Sequence, residues 1–180
     1  MRIISGNHRG KKIVVSENLP VRPTTDFAKE SLFNILNNYF YFDSIEVLDL
    51  FAGTGNISYE FAARNAVKVI AMDNNEVCVN FIKRTAESLH FDNLKVVRND
   101  AIRFLSYCKQ AFNVIFADPP YDWNKYDALP QLVFENNLLC KDGFLVIEHA
   151  IEINFQEHPK FYQQRRYGKV NFSIFAENFG

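Results

Sequence analysis

The sequence predicts a three-layer α/β domain built on a mostly parallel sheet. Three observations point there. From residue 45 onward, short apolar runs alternate with segments of helical periodicity. A Gly-x-Gly turn closes the first of those runs and opens the next helical segment. The last two apolar runs follow each other with no helix between them. Strands that alternate with helices need right-handed crossovers, which bury a parallel sheet between two helical layers. Its strands are covered on both faces and read as continuous apolar stretches.

The amino-terminal residues 1–22 read as a β-hairpin arm. Residues 2–5 and 12–16 are strand-like, and Gly6-Asn7-His8-Arg9-Gly10 joins them. Pro23 disfavours helix at Arg22, and Thr24 or Thr25 is a suitable N-cap. Ala28, Leu32, Ile35, Leu36 and Tyr39 then recur at helical spacing, predicting a helix over 26–40. Within the main domain, 23–180, the expected core strands are 46–51, 68–73, 94–99, 113–117 and 144–148. The expected helices are 57–64, 75–90, 101–109 and 126–137. Segments 161–167 and 170–176 are expected to add an antiparallel hairpin to one edge.

Composition bounds the function. A chain of 180 residues, 48% apolar and 23% charged, suits one globular domain with a proper core. No apolar run approaches the roughly 20 residues that span a bilayer, and Met1–Gly6 lacks the features of a secretory leader. Cys78, Cys108 and Cys140 are far apart and show no zinc spacing, so no metal is expected. They are expected to be buried thiols in the reducing cytoplasm. The net charge of −1 argues against a nonspecific nucleic-acid binder. Charge is uneven, however. Arg2, Arg9, Lys11, Lys12 and Arg22 face only Glu17 in the arm, and Arg165, Arg166 and Lys169 cluster near the end. Each cluster is either a phosphate-contacting patch or a solvated strand face.

Asp49-Leu50-Phe51-Ala52-Gly53-Thr54-Gly55 ends the first core strand. Ligands of open α/β sheets bind beyond the carboxyl ends of the strands, and Gly53 and Gly55 let backbone approach closely. Alone, Gly-x-Gly is as well explained by a plain strand–helix turn. A dinucleotide site would want a third glycine where Ser58 stands, and Asp49 would repel a pyrophosphate. A carboxylate there suits a cofactor with a cationic amino-acid part and no phosphate, such as S-adenosylmethionine. Asp73 closes the second strand, where it can accept both ribose hydroxyls at about 1.5–3 kcal/mol each. Asp100 follows the third strand and can accept from an adenine amino group. Either could instead be a helix N-cap. Acids at three consecutive strand ends, with Gly-x-Gly on the first, favour the cofactor.

Asp118-Pro119-Pro120-Tyr121 follows the fourth core strand. The two prolines preset a stiff turn. Exocyclic amino nitrogens are poor nucleophiles because their lone pair is delocalised into the ring. Acceptors on the amino hydrogens, here Asp118 Oδ and the Pro119 carbonyl, stabilise the charge that develops on nitrogen. Tyr121 offers a face for a splayed base, worth about 1–3 kcal/mol. His149 is expected to be structural. Trp123 and Tyr126 either wall the base pocket or pack the loop.

These residues resemble the amino-methyltransferase signature [Asn/Asp/Ser]-Pro-Pro-[Tyr/Phe/Trp]. Met1–Gly6, Arg9-Gly10-Lys11, Arg22-Pro23-Thr24-Thr25-Asp26, Glu30-Ser31-Leu32-Phe33-Asn34, residues 47–55, Asp118–Tyr121 and Gly168-Lys169-Val170 resemble, in order, the bacterial RsmD family of 16S rRNA guanine-N2-methyltransferases. The resemblance implies a Rossmann-like class I S-adenosylmethionine-dependent methyltransferase fold. Its seven-stranded, mostly parallel sheet has an antiparallel last strand and a small amino-terminal hairpin extension. It implies that Asp49, Phe51, Gly53, Gly55, Asp73, Asp100 and Ala101 bind cofactor and that Asp118, Pro119 and Tyr121 hold the target amino group. Arg9, Lys11 and Arg22 become candidate contacts to 16S rRNA. The implied substrate is a small-subunit assembly particle, and the implied enzyme is a cytoplasmic monomer. Asp73 departs from the Glu of many relatives, and the near-neutral charge points to recognition of a shaped ribosomal surface.

The tetrapeptide does not separate this activity from methylation of DNA adenine or protein glutamine. Such enzymes usually carry a target-recognition insert or a helical amino-terminal domain, and no segment here is long enough for either. A non-catalytic RNA-binding assembly factor is the other alternative. It would be expected to have lost an acid or a glycine of the site, and all are present.

Overall fold

The computed structural model describes residues 1–15, 19, 25–168 and 170–177. The elements are α1 (Asp26–Leu36), β1 (Glu46–Leu50), α2 (Asn56–Ala63), β2 (Lys68–Asp73), α3 (Glu76–Ser88) and β3 (Leu94–Arg98). They continue with α4 (Ala101–Tyr107), β4 (Phe112–Ala117), α5 (Ala128–Glu135), β5 (Leu139–His149), β6 (Phe161–Tyr167) and β7 (Val170–Phe175).

One seven-stranded sheet runs in the order β3-β2-β1-β4-β5-β7-β6. Strands β1 to β5 are parallel. β7 pairs antiparallel with β5 on one side and β6 on the other, so the terminal hairpin joins the edge through its second strand. Side chains alternate between the two faces. Val47, Val69, Ala71, Val114, Phe116, Phe144 and Val146 pack beneath α1, α2 and α3. Leu48, Ile70, Met72, Ile115, Ala117, Leu145 and Ile147 pack against α4 and α5. β1 and β4 are neighbours, yet their following crossovers leave in opposite directions. The topological switch therefore lies between them, where the sheet opens a crevice at its carboxyl edge.

Every predicted core strand and helix is present, with ends displaced by at most five residues. α1 stops at Leu36 because the next turn is tighter: Asn38 and Tyr39 donate to the carbonyls three residues back. Thr25 caps it, its hydroxyl accepting from the Ala28 amide at 3.2 Å, while Thr24 lies outside the described residues. β5 begins at Leu139, ahead of the expected 144. Its register with β4 shifts between Phe112 and Val114, so Cys140–Gly143 form a bulge with Asp142 at φ 60°. Lys141-Asp142-Gly143 reads as a turn in sequence because a bulge uses the same residue types.

Among the described residues the arm shows one isolated bridge, Arg2 to Lys12, where a ladder was expected. Further backbone bonds join its two limbs, the Ile3 amide donating to the Lys11 carbonyl, Gly10 to Ile3 and Ile13 to Met1, while other amides turn to α2. Ile4 and Ser5 amides donate to the Glu60 carboxylate at 2.8 and 3.0 Å, and the Asn7 amide donates to the Ala63 carbonyl at 2.8 Å. Ile3 and Ile13 are buried in the same core as α1 and α2. Gly6 sits so tightly that a Cβ would lie 1.9 Å from the Ala63 carbonyl oxygen.

A buried ion pair locks this corner. Lys29 and Glu60 are both 0% exposed, with Nζ and Oε2 3.5 Å apart. Lys29 also donates to the Arg2 carbonyl at 2.6 Å and to Asn56 Oδ1 at 2.8 Å. Arg64 completes the Glu60 shell at 3.0 Å. Burial pulls the Lys29 amine below its usual range, against the pull of Glu60. Glu60→Ala is expected to cost about 3–5 kcal/mol, because it strands the Lys29 charge and two arm amides. The double variant Lys29→Met, Glu60→Leu is expected to recover much of that loss. Urea unfolding of the three proteins checks both outcomes, and a Glu60→Ala loss below about 1 kcal/mol would remove the pair from this role.

Candidate active site

The crevice at the switch point is a cavity of about 750 Å³. Asp49, Phe51, Ala52, Gly53 and Thr54 of the β1–α2 turn, Asp73 after β2, and Asp100 after β3 line one part of it. Phe116, Asp118, Pro119, Pro120, Tyr121 and Trp123 of the β4 end line another, together with Glu148 of β5.

Alternation explains which side chains reach it. Asp49, Asp73, Asp118 and Glu148 each stand two residues after a side chain packed on the α1–α2–α3 face: Val47, Ala71, Phe116 and Val146. All four therefore emerge on the same face where the helical cover ends.

Asp49 is 1% exposed and accepts from Ser58 Oγ at 2.5 Å. Burial, with the nearby charges of Asp118 and Asp73, pushes its carboxyl up to about 7 despite the Ser58 bond. Burial does the same to Asp118, also to about 7. Asp73 accepts from the Gly53 amide and the Asn75 amide, both at 2.8 Å. Each carboxylate oxygen keeps a second lone pair for a ligand. Asp73 is not the cap of α3, since Asn75 takes that place. Asp100 does cap α4, accepting from the Arg103 amide at 2.8 Å, and also lines the cavity.

Gly55 starts α2 in the left-handed region at φ 78°, and a Cβ there would lie 2.6 Å from the Tyr59 ring. Phe51 is also left-handed, at φ 60°, with its ring edge-on to Trp123 at 5.1 Å. Trp123 in turn packs on Tyr126 at 5.5 Å, so Trp123 walls the cavity while Tyr126 packs the loop into the core. Tyr121 is 81% exposed at the mouth.

The profile of the family described as Conserved hypothetical protein 95 matches residues 1–176. The chain belongs to this family. It bears out the resemblance read from the amino-terminal block and the reactive tetrapeptide. YlbH of Bacillus subtilis, provisionally named an rRNA methyltransferase, is 37% identical over 161 residues, 87% of this chain and 86% of that one. Ribosomal RNA small subunit methyltransferase D of Haemophilus influenzae is 33% identical over 152 residues, 82% of this chain and 78% of that one. The structure superposes on yhhF of Escherichia coli, provisionally named a methyltransferase, with a TM-score of 0.83 at 26% identity. That match covers 97% of this chain and 96% of the other. The seven-stranded Rossmann-like fold expected from sequence is thus the fold of these methyltransferases.

Within this Conserved hypothetical protein 95 chain, the cavity gathers Asp49, Phe51, Gly53, Asp73, Asp100, Asp118, Pro119 and Tyr121. Gly55 shapes the turn without lining the cavity, and Ala101 is buried beneath the start of α4. Arg9 and Lys11 are exposed and do not line the cavity: Arg9 sits in the Gly6–Gly10 turn by the carboxyl end of α2, the end opposite the glycine turn, and Lys11 returns beside Ile3. Eight residues of helix separate the two ends, about 12 Å. Arg22 lies outside the described residues. His149 is structural: its ring nitrogens bond Ser173 Oγ at 2.7 Å and the Ala150 carbonyl at 2.8 Å. Thr25, Asn56 and Glu148 line the cavity and were not singled out in sequence. Glu148 carried a usable signal, an acid ending the fifth strand as acids end the others. Among the described residues no group of side chains suits a metal ion, and no helix is long and apolar enough to cross a membrane.

The two raised carboxyls bind protons in the folded chain that the unfolded chain, ionising near about 4, has released. Their stabilising contribution is complete below about 4 and is lost as pH rises through about 7. The ligand-free protein is therefore expected to lose stability, on the order of a few kcal/mol, between pH 5 and pH 8. Chemical denaturation across that range checks it. Asp49→Asn is expected to flatten the profile, and an identical slope in that variant would assign the effect to other groups.

Proposed function

We propose that this cavity holds S-adenosylmethionine and that the chain methylates the exocyclic N2 amino group of a guanine in small-subunit rRNA. The observation that carries the reading is the sharing of one cavity by the acids ending β1 and β2 and the Asp118–Tyr121 turn. The donor set fits a cationic cofactor. Asp49 and Asp118 are desolvated beside one another's charge and Asp73's, so a ligand with positive charge and no phosphate would relieve them. When bound, S-adenosylmethionine supplies an electrophilic methyl group.

The residues divide the work. Asp73 accepts ribose hydroxyls, Asp100 an adenine amino hydrogen, and Asp49 the cationic amino-acid part. The turn that begins at Phe51 lets backbone approach the ligand. Asp118 Oδ and the Pro119 carbonyl accept the hydrogens of the target amino group and so hold its lone pair out of the ring. Asp118, whose carboxyl burial holds above the ordinary range, can also take the proton that nitrogen sheds. Tyr121 stacks on the displaced base.

The named relatives support rRNA over DNA or protein as acceptor. In this reading the substrate is rRNA within an assembling small subunit, met by a cytoplasmic monomer. The net charge of −1 supports recognition of a shaped particle over general attraction to RNA. Arg9, Lys11 and Arg22 supply phosphate contacts.

Asp118→Ala is expected to lower turnover about 10²- to 10³-fold with cofactor affinity nearly intact, whereas Asp73→Ala is expected to weaken cofactor binding about 10- to 100-fold. Calorimetry and single-turnover methylation of small-subunit particles separate the two. Normal turnover by Asp118→Ala would sink its assigned role. Arg9→Ala with Lys11→Ala is expected to flatten the salt dependence of particle binding by about one unit of slope for each phosphate no longer neutralised. An unaltered slope would make the arm a solvated surface.

A further inference from the structure

One acid of the cavity takes no part in holding cofactor or activating the amino group. Glu148 is the penultimate residue of β5, the strand beside β4, on the side of Asp118 away from β1. Ala117 pairs with Ile147 in parallel register, so the next residues, Asp118 and Glu148, stand level on adjacent strands. Adjacent strands lie about 4.8 Å apart. Both side chains fall on the same face by alternation after Phe116 and Val146. The spatial order across the sheet is therefore Asp73, Asp49, Asp118, Glu148, from the cofactor end to the far side of the reactive turn.

Glu148 is held there. It pairs across the sheet with Phe172 of β7, and the next residue, His149, is tied to Ser173 Oγ at 2.7 Å. Its neighbours across the cavity include the Trp123 wall, and the Tyr126 phenol is pushed up by burial and by the charges of Asp118 and Glu148.

An ionised carboxylate only accepts hydrogen bonds. Guanine presents two kinds of donor side by side on its Watson–Crick edge, the N2 amino group and N1–H. Adenine and 2-aminopurine present a lone pair at N1, which a carboxylate repels. N1 and N3 flank the N2 amino group, and a base with N2 at Asp118 can turn its N1 edge toward the next strand, where Glu148 stands. We propose that Glu148 is the specificity residue of this site, accepting N1–H of the target guanine while Asp118 accepts from N2. This deepens the guanine-N2 reading and rests on it.

The test uses the full chain and small-subunit particles carrying either guanosine or 2-aminopurine riboside at the methylated position. 2-Aminopurine keeps the N2 amino group and lacks N1–H. The wild-type chain is expected to favour guanine by about 10- to 100-fold in kcat/KM, the size of one charge-assisted hydrogen bond. Glu148→Ala is expected to lose most of that preference through a lower guanine rate. Glu148→Gln is expected to raise the 2-aminopurine rate, because an amide can turn an N–H toward the N1 lone pair. A merely structural residue would not produce that gain. Calorimetric binding of S-adenosylmethionine to each variant reports whether the cofactor site is intact. Equal wild-type rates on the two bases would overturn the assignment. So would variants that lose both rates in the same proportion. If neither base with a 2-amino group is methylated while an adenosine particle is, the guanine reading itself fails and the Glu148 assignment falls with it.

Discussion

The switch between β1 and β4 is the constraint from which the site follows. These strands are hydrogen-bonded neighbours, but their helices leave toward opposite edges of the sheet. The layers that bury Val47 and Phe116 therefore part at the carboxyl ends, leaving backbone and side chains that no helix covers. Polar groups can be accommodated at that edge because they reach a cavity; one turn earlier on the same strands they would be in the apolar core. Asp49 marks the boundary, almost fully buried yet lining the crevice.

A second polar group sits deeper and serves another purpose. Lys29, Glu60 and Asn56 join α1, α2 and the amino-terminal arm, and Asn56 also touches the cavity. Two buried charges stabilise little in net terms beside a well-packed apolar alternative. What they do here is specify position, since Glu60 gathers two arm amides, Lys29 and Arg64, and Lys29 gathers the Arg2 carbonyl. The arm therefore lies along α2 in one register, which carries the Gly6–Gly10 turn, with Arg9, to the far end of that helix.

Electrostatics connects fold and chemistry. Carboxylates crowded at strand ends raise one another's proton affinity, and the described residues give Asp49 a hydroxyl where a cation would balance it. Such a site is better suited to a positively charged ligand than to a phosphate. The same row of acids, extended by Glu148, runs across the cavity, so one alternation rule places the residues proposed for donor binding, activation and selection.

By itself the sequence determined the element order, the parallel core and the edge hairpin, because apolar runs, helical periodicity and glycine turns are local signals. It determined most of the cavity as well: Asp49, Asp73, Asp100 and Asp118 are legible as acids placed just after apolar strands. Tertiary structure decided what depends on neighbours distant in sequence. It put β7 inside β6, set Glu148 level with Asp118, turned Cys140–Gly143 into a bulge, and tied the arm amides of Ile4, Ser5 and Asn7 to Glu60 and Ala63 of α2. Strand order, register and the partners of buried charges are set by packing across the whole sheet, and no local window of residues carries that information.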